Sequence, residues 1–192
     1  MGVRWFGDVA DSDFWEQSFD RLQEYLGELG KGVLPVPDHA ANQLVERRLN
    51  IIRVFDAPRR VVFKAWTEPE QLARWWGPRG FTNPLCEVDA RPGGAIRIIM
   101  RAPDGVSHEM RGAFREVIEP ERLVFTHRAI GTRGESLLEG LTTVSFSEQE
   151  GKTTMTLDTS AVALLPEANA MLNGMNDGWN QSLERLTMVL GG

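Results

Sequence analysis

Four short stretches decide how this chain folds: R-V-F-D-A-P at Arg53–Pro58, V-F-K-A-W-T-E-P-E at Val62–Glu70, R-W-W-G-P at Arg74–Pro78 and D-A-R-P-G-G at Asp89–Gly94. A strand ends at Asp56-Ala57-Pro58, and two short helices follow. The first carries Val62, Phe63 and Trp66, and the second carries Leu72, Trp75 and Trp76. Three of the six tryptophans thus fall within eleven residues, in a segment too short to bury them by itself. Something concave has to receive them, which points to a cavity-forming fold.

Outward from that stretch, alternation phases the strands, since one face of an antiparallel sheet is usually buried. In residues 108–118, Glu109, Arg111 and Arg115 share one face, while Met110, Gly112, Phe114, Glu116 and Ile118 share the inner one. Leu123, Phe125 and His127 face inward between Arg122, Thr126 and Arg128. Val144 and Phe146, then Met155 and Leu157, form the inner side of a hairpin through Glu148–Gly151. Ile96, Ile98 and Met100 do the same after the Gly93-Gly94 turn, and Cys86, Val88 and Ala90 before it. A closing helix is predicted over 166–190, with a stripe of Leu172, Met175, Trp179, Leu183, Leu186 and Leu190. Pro166 suits its first turn. Gly174 and Gly178 each cost about 1 kcal/mol relative to alanine inside a helix. They therefore imply close backbone approach or space beneath the helix.

In order and spacing, the quoted motifs resemble the family of the activator of the ninety-kilodalton heat-shock protein's ATPase, within the START-like, or SRPBCC, superfamily of hydrophobic-ligand-binding domains. The resemblance runs from about Leu44 to Leu190 and ends in G-W-x-x-S-L-x-x-L at Gly178, Trp179, Ser182, Leu183 and Leu186. It implies an α+β helix-grip fold, a curved antiparallel sheet around a long C-terminal helix, over residues 44–192. It also implies a cavity for a small hydrophobic molecule, and chaperone binding as a further reading. The family's eukaryotic activators add a separate chaperone-binding domain, for which the 43 residues before Leu44 are too few.

Composition sets outer limits. With 192 residues, 42% hydrophobic and 25% charged, the expectation is one globular domain with an appendage. A net charge of -6 without a Lys/Arg cluster argues against nucleic acid. No apolar run approaches the roughly 18 residues needed to cross a bilayer, and no secretory leader is visible, so a cytoplasmic location is expected. One cysteine, Cys86, fits a reducing compartment and reads as a small buried hydrophobe. With three scattered histidines it makes no metal set, and no cofactor motif occurs. Residues 1–43 form an extension and linker. Trp15, Phe19, Leu22, Leu26 and Leu29 make one helical stripe in it over 12–29. That stripe either covers its own domain, forms a homodimer or meets a partner.

The candidate ligand-binding residues are Trp66, Trp75, Phe81, Phe114, Phe125, His127, Met175 and Trp179, with Glu116 as polar contact. If Ile118 pairs with Leu123, Glu116 and His127 become diagonal neighbours on the inner face. Such a pair either satisfies itself, contacts a ligand, or performs acid–base work in a polyketide cyclase or hydrolase-type enzyme. No catalytic set is otherwise recognisable. Arg53 is open to either face of its strand, and Ile130–Gly140 reads as a loop or entrance lid.

Overall fold

A computed structural model of the chain describes residues 45–191. The helix expected over 12–29, and the homodimer question attached to it, lie outside the described residues. The chain runs through β1 (Glu46–Phe55), α1 (Arg59–Thr67), α2 (Pro69–Trp75), β2 (Thr82–Val88), β3 (Ala95–Arg101), β4 (Ser107–Ile118), β5 (Arg122–Ile130), β6 (Ser136–Gln149) and β7 (Lys152–Ala163). A 3-10 turn at Pro166–Ala168, a short helix α3 (Asn169–Asn173) and the long α4 (Met175–Leu190) complete it. The strands make one antiparallel sheet in the order β1-β7-β6-β5-β4-β3-β2.

Each helix near the motif starts where a proline allows it. The Pro58 carbonyl accepts from the N–H groups of Val61 and Val62, opening α1. Pro69 stands in the first turn of α2, where its missing N–H is not needed. Val62, Phe63, Ala65 and Trp66 of α1, with Leu72 and Trp75 of α2, turn into the core. There they meet Ile98, Leu123, Val144, Met155 and Leu157 from the sheet, and Leu183 and Leu186 from α4, all fully buried.

Two expectations change in detail. The register of β4 against β5 shifts between Phe114 and Glu116, so Arg115 is an extra residue on β4. Such a bulge moves every later side chain to the other face. Val117, not Ile118, therefore opposes Leu123, and Ile118 pairs with Arg122. The closing segment is also not one helix over 166–190. Gly174 interrupts it between α3 and α4, with φ -82° and ψ -4°. Arg53 resolves to the inner phase with Ile51 and Phe55, where it donates to Asn180 Oδ1 on α4.

Candidate functional site

The sheet's inner face is a set of cross-strand rows whose residues shrink along the strands. One row reads Val117, Leu123, Val144, Leu157 and Ile51. The next reads Phe114, Phe125, Thr142 and Thr159, and the two threonine hydroxyls share a hydrogen bond of 2.8 Å. The third reads Gly112, His127, Gly140 and Ala161. It offers a single imidazole where its neighbours offer rings and branched chains. The fourth, Met110, Ala129, Leu138 and Ala163, restores some volume.

Over the third and fourth rows lies a partly open cavity of about 210 Å³. His127, Ala129, Leu138 and Ala161 contribute to its floor. Met171, Leu172, Met175, Gly178, Trp179 and Ser182 close it from α3 and α4. Trp76, Gly77 and Pro78 form one flank, and Met100, Met110 and His108 another. Gly178 leaves room: the nearest atom to a side-chain Cβ placed there is Pro78 Cγ, at 4.0 Å. Gly140 is the opposite case. A Cβ there would stand 2.5 Å from His127 Cε1 and 2.7 Å from Nε2, so the glycine is what lets the imidazole lie down.

His127 Nε2 is sealed from solvent and has no hydrogen-bond partner among the described residues. Burial pushes the imidazole pKa down to about 4, because the charged form would lose its hydration. Ser182 is satisfied, its hydroxyl donating to the Gly178 carbonyl at 2.8 Å. Glu109 belongs to the lining, but its carboxylate accepts from Arg111 at 2.9 Å and Arg97 at 2.8 Å. The Arg111 hydrogen bond, followed by that of Arg97, holds its pKa below the usual range.

The flank at Trp76–Pro78 is clamped to α4. Arg185 Nη1 donates to the carbonyls of Trp76 (3.2 Å), Gly77 (2.9 Å) and Pro78 (3.0 Å). Its Nη2 donates to that of Arg74 at 3.1 Å. Gln181 accepts from the Arg79 N–H and Glu184 pairs with the Arg79 side chain, extending the clamp.

Of the residues expected at a site, the structure brings His127, Met175 and Trp179 to the cavity. Trp66, Phe114 and Phe125 do not line it. They surround a separate void of about 10 Å³, room for one water at most and apolar in lining. Trp75 is fully buried, with its Nε1 donating to the Ala65 carbonyl at 2.8 Å. Phe81 lies beside His108 with ring centroids 6.0 Å apart, outside the lining. Glu116 is a correction. The bulge at Arg115 turns it to the outer face, where it pairs with Arg122 at 2.7 Å. No Glu116–His127 pair exists, and the acid–base reading built on it loses its geometry. Cys86 also stays inert: burial first, then Glu70 and Glu87, push its thiol up to about 11.

Sequence reasoning missed Trp76, Met171, Leu172 and His108 as lining residues. For His108 the signal was present, since it shares the parity of Met110 and Gly112 along β4. The others depend on how α2, α3 and α4 sit over the sheet, which alternation does not specify.

The family described as Activator of Hsp90 ATPase homolog 1-like protein matches residues 56–191, from the aspartate after β1 to the glycine after α4. The chain belongs to that family. Solved structures agree on its fold. An AHSA1-like chain of this kind is similar to protein CV1439 from Chromobacterium violaceum, at 26% identity and TM-score 0.63 over 76% of this chain and 97% of that one. It is similar to protein NE0264 from Nitrosomonas europaea at 25% identity and TM-score 0.61, over 75% and 94% of the two chains. The AHSA1 protein SPO3351 from Silicibacter pomeroyi is 23% identical, with TM-score 0.64 over 76% and 98%, a likeness of fold alone. No protein with a curated description matches the chain.

Proposed function

We propose that this AHSA1-like domain binds a small hydrophobic or aromatic molecule in the cavity between the sheet and α4. The observation that carries the reading is the Gly112–His127–Gly140–Ala161 row, which leaves a hollow in an otherwise tightly filled interior. Ligand sites are concave, mostly apolar and furnished with a few polar groups, and this hollow has that make-up. Interiors are normally packed to the density of organic crystals, so a void of this size is a departure that stability alone does not favour. Trp179 and Trp76 on its wall provide a signal. Among the described residues no helix is long and apolar enough to cross a membrane.

The test is saturable quenching of tryptophan emission as apolar compounds, from toluene to palmitate, are titrated into the full chain. Gly178→Leu places a side chain in the hollow and is expected to abolish the response with unchanged far-UV circular dichroism. A response that survives the substitution would move the binding elsewhere and end this reading.

A further inference from the structure

The dimensions and lining of the hollow restrict what fits it, granted that it is a ligand site. A dry hole of about 150 Å³ takes one benzene ring, so about 210 Å³ takes two fused rings. A steroid or long acyl chain would extend out through the mouth.

The walls favour a flat, polarisable occupant. Four thioether side chains, Met100, Met110, Met171 and Met175, line the space, and sulfur packs favourably against aromatic ring edges. Trp179 adds an indole whose other contacts are already made, stacked on Trp66 at 6.1 Å and edge-on to Trp76 at 5.4 Å. Charge selects against acids. Among the described residues no lysine or arginine lines the cavity, and the carboxylate of Glu109 is already held by Arg111 and Arg97. A buried anion there would find no lysine or arginine to balance it.

The polar requirement comes from the floor. Ser182 is satisfied within its own helix, which leaves His127 as the floor's unsatisfied polar side chain. We propose that the cavity selects a neutral two-ring aromatic molecule whose hydroxyl or N–H group hydrogen-bonds to the His127 imidazole. His127 lines the cavity while its Nε2 edge lies against the Gly140 backbone and is sealed from solvent, so a small polar group reaches that nitrogen when the ring turns toward the hollow. Held neutral by burial, the imidazole offers one donor and one acceptor, a match for a hydroxyl and no match for a carboxylate.

The experiment is calorimetric titration of the full chain at neutral pH with naphthalene, naphthol, naphthoate, naphthylmethylammonium and palmitate. Naphthol is expected to bind about five- to ten-fold tighter than naphthalene, the scale of one neutral hydrogen bond, and tighter still relative to naphthoate. In His127→Leu the preference of naphthol over naphthalene is expected to collapse to within about two-fold, and in His127→Gln, which keeps a polar group, to persist in part. If naphthoate, the ammonium or palmitate matches naphthol on the wild-type chain, the inference is overturned whatever the variants do. It is equally overturned if the naphthol preference survives His127→Leu. The parent reading is judged separately with Gly178→Leu. Any probe that binds the wild type and is lost in that variant keeps the cavity as the site, even when its chemistry contradicts the selection proposed. No binding by any probe, or binding indifferent to Gly178→Leu, removes both.

Discussion

The same sheet and the same final helix bound both ends of the interior, and the ends differ in what fills them. At one end Trp66, Trp75 and Trp76 interlock with Phe63, Phe125 and Phe146. Ring centroids there are 4.7 Å apart for Trp66–Trp75 and 5.7 Å for Phe63–Phe146. At the other end thioethers, small residues and two imidazoles surround open space. The backbone ladder runs without interruption from the filled end to the hollow one through Gly112, His127 and Gly140. The hollow is therefore a product of side-chain size along successive rows, not of a gap in the sheet. Rigid aromatics fill one end, and adaptable thioethers border the space at the other.

Substitutions can break this contrast. Trp75→Ala, at the filled end, is expected to cost about 3–5 kcal/mol, read from urea denaturation. A cost below about 1 kcal/mol would mean that the aromatic end is not the anchor.

The second effect belongs to His127 and is read through pH. Unfolded, an imidazole titrates near 6.5, and here its folded pKa is pushed down to about 4. Above the unfolded value both states are neutral and stability does not depend on this group. As pH falls from 6.5 to about 4 only the unfolded chain takes up the proton, so stability falls, and below that it levels off. The loss amounts to about 3 kcal/mol across that window. Urea midpoints measured through it should lose this slope in His127→Leu, and a slope that persists would place its origin in other groups.

At the hollow end Met175→Ala should cost only about 1 kcal/mol, less than the 2–5 of a fully packed methionine, because Met175 already borders space. Denaturation of that variant sharpens the comparison directly, since a larger cost would mean the hollow is closed up in solution. The smallest effect is assigned to Glu116→Gln. It loses an exposed pair with Arg122, worth under about 1 kcal/mol, and leaves ligand titrations unchanged. A changed ligand preference would contradict its place on the outer face.

Glu116 also marks where the sequence stopped being legible. Alternation phases a strand by parity, and one extra residue at Arg115 reverses the parity without any change in composition. Up to Phe114 the inner face was readable, because Met110, Gly112 and Phe114 alternate cleanly against charged neighbours. Likewise Val62, Phe63, Trp66, Leu72 and Trp75 announced two short helices packing on one core. The hollow was not legible, since Gly112, His127, Gly140 and Ala161 lie on four strands and become a row only once three registers are known. Concentrated aromatics pointed to a cavity, and Trp76 and Trp179 border it while Trp66, Phe114 and Phe125 fill the interior beside it. Large rings fill space as readily as they line it. The two glycines of the last helical segment were read as close approach or space beneath it; Gly178 opens room, whereas Gly174 interrupts the helix, which was not foreseen.

Arg185 has a mechanical consequence. By fastening four main-chain oxygens of residues 74–78 to α4, it turns that loop and the helix into a single rigid jaw. With that side held, any widening of the cavity falls on the other lining segments, Ile130 and Leu137 beside the turn at 131–135 and Met171 and Leu172 of the short α3. Native-state hydrogen exchange would register this division of labour as faster exchange at Thr132–Glu135 than at Gly77–Arg79, and equal rates would mean that both jaws move. For a molecule held in the cavity as proposed, stiffening the unclasped side alone should then slow arrival and departure alike.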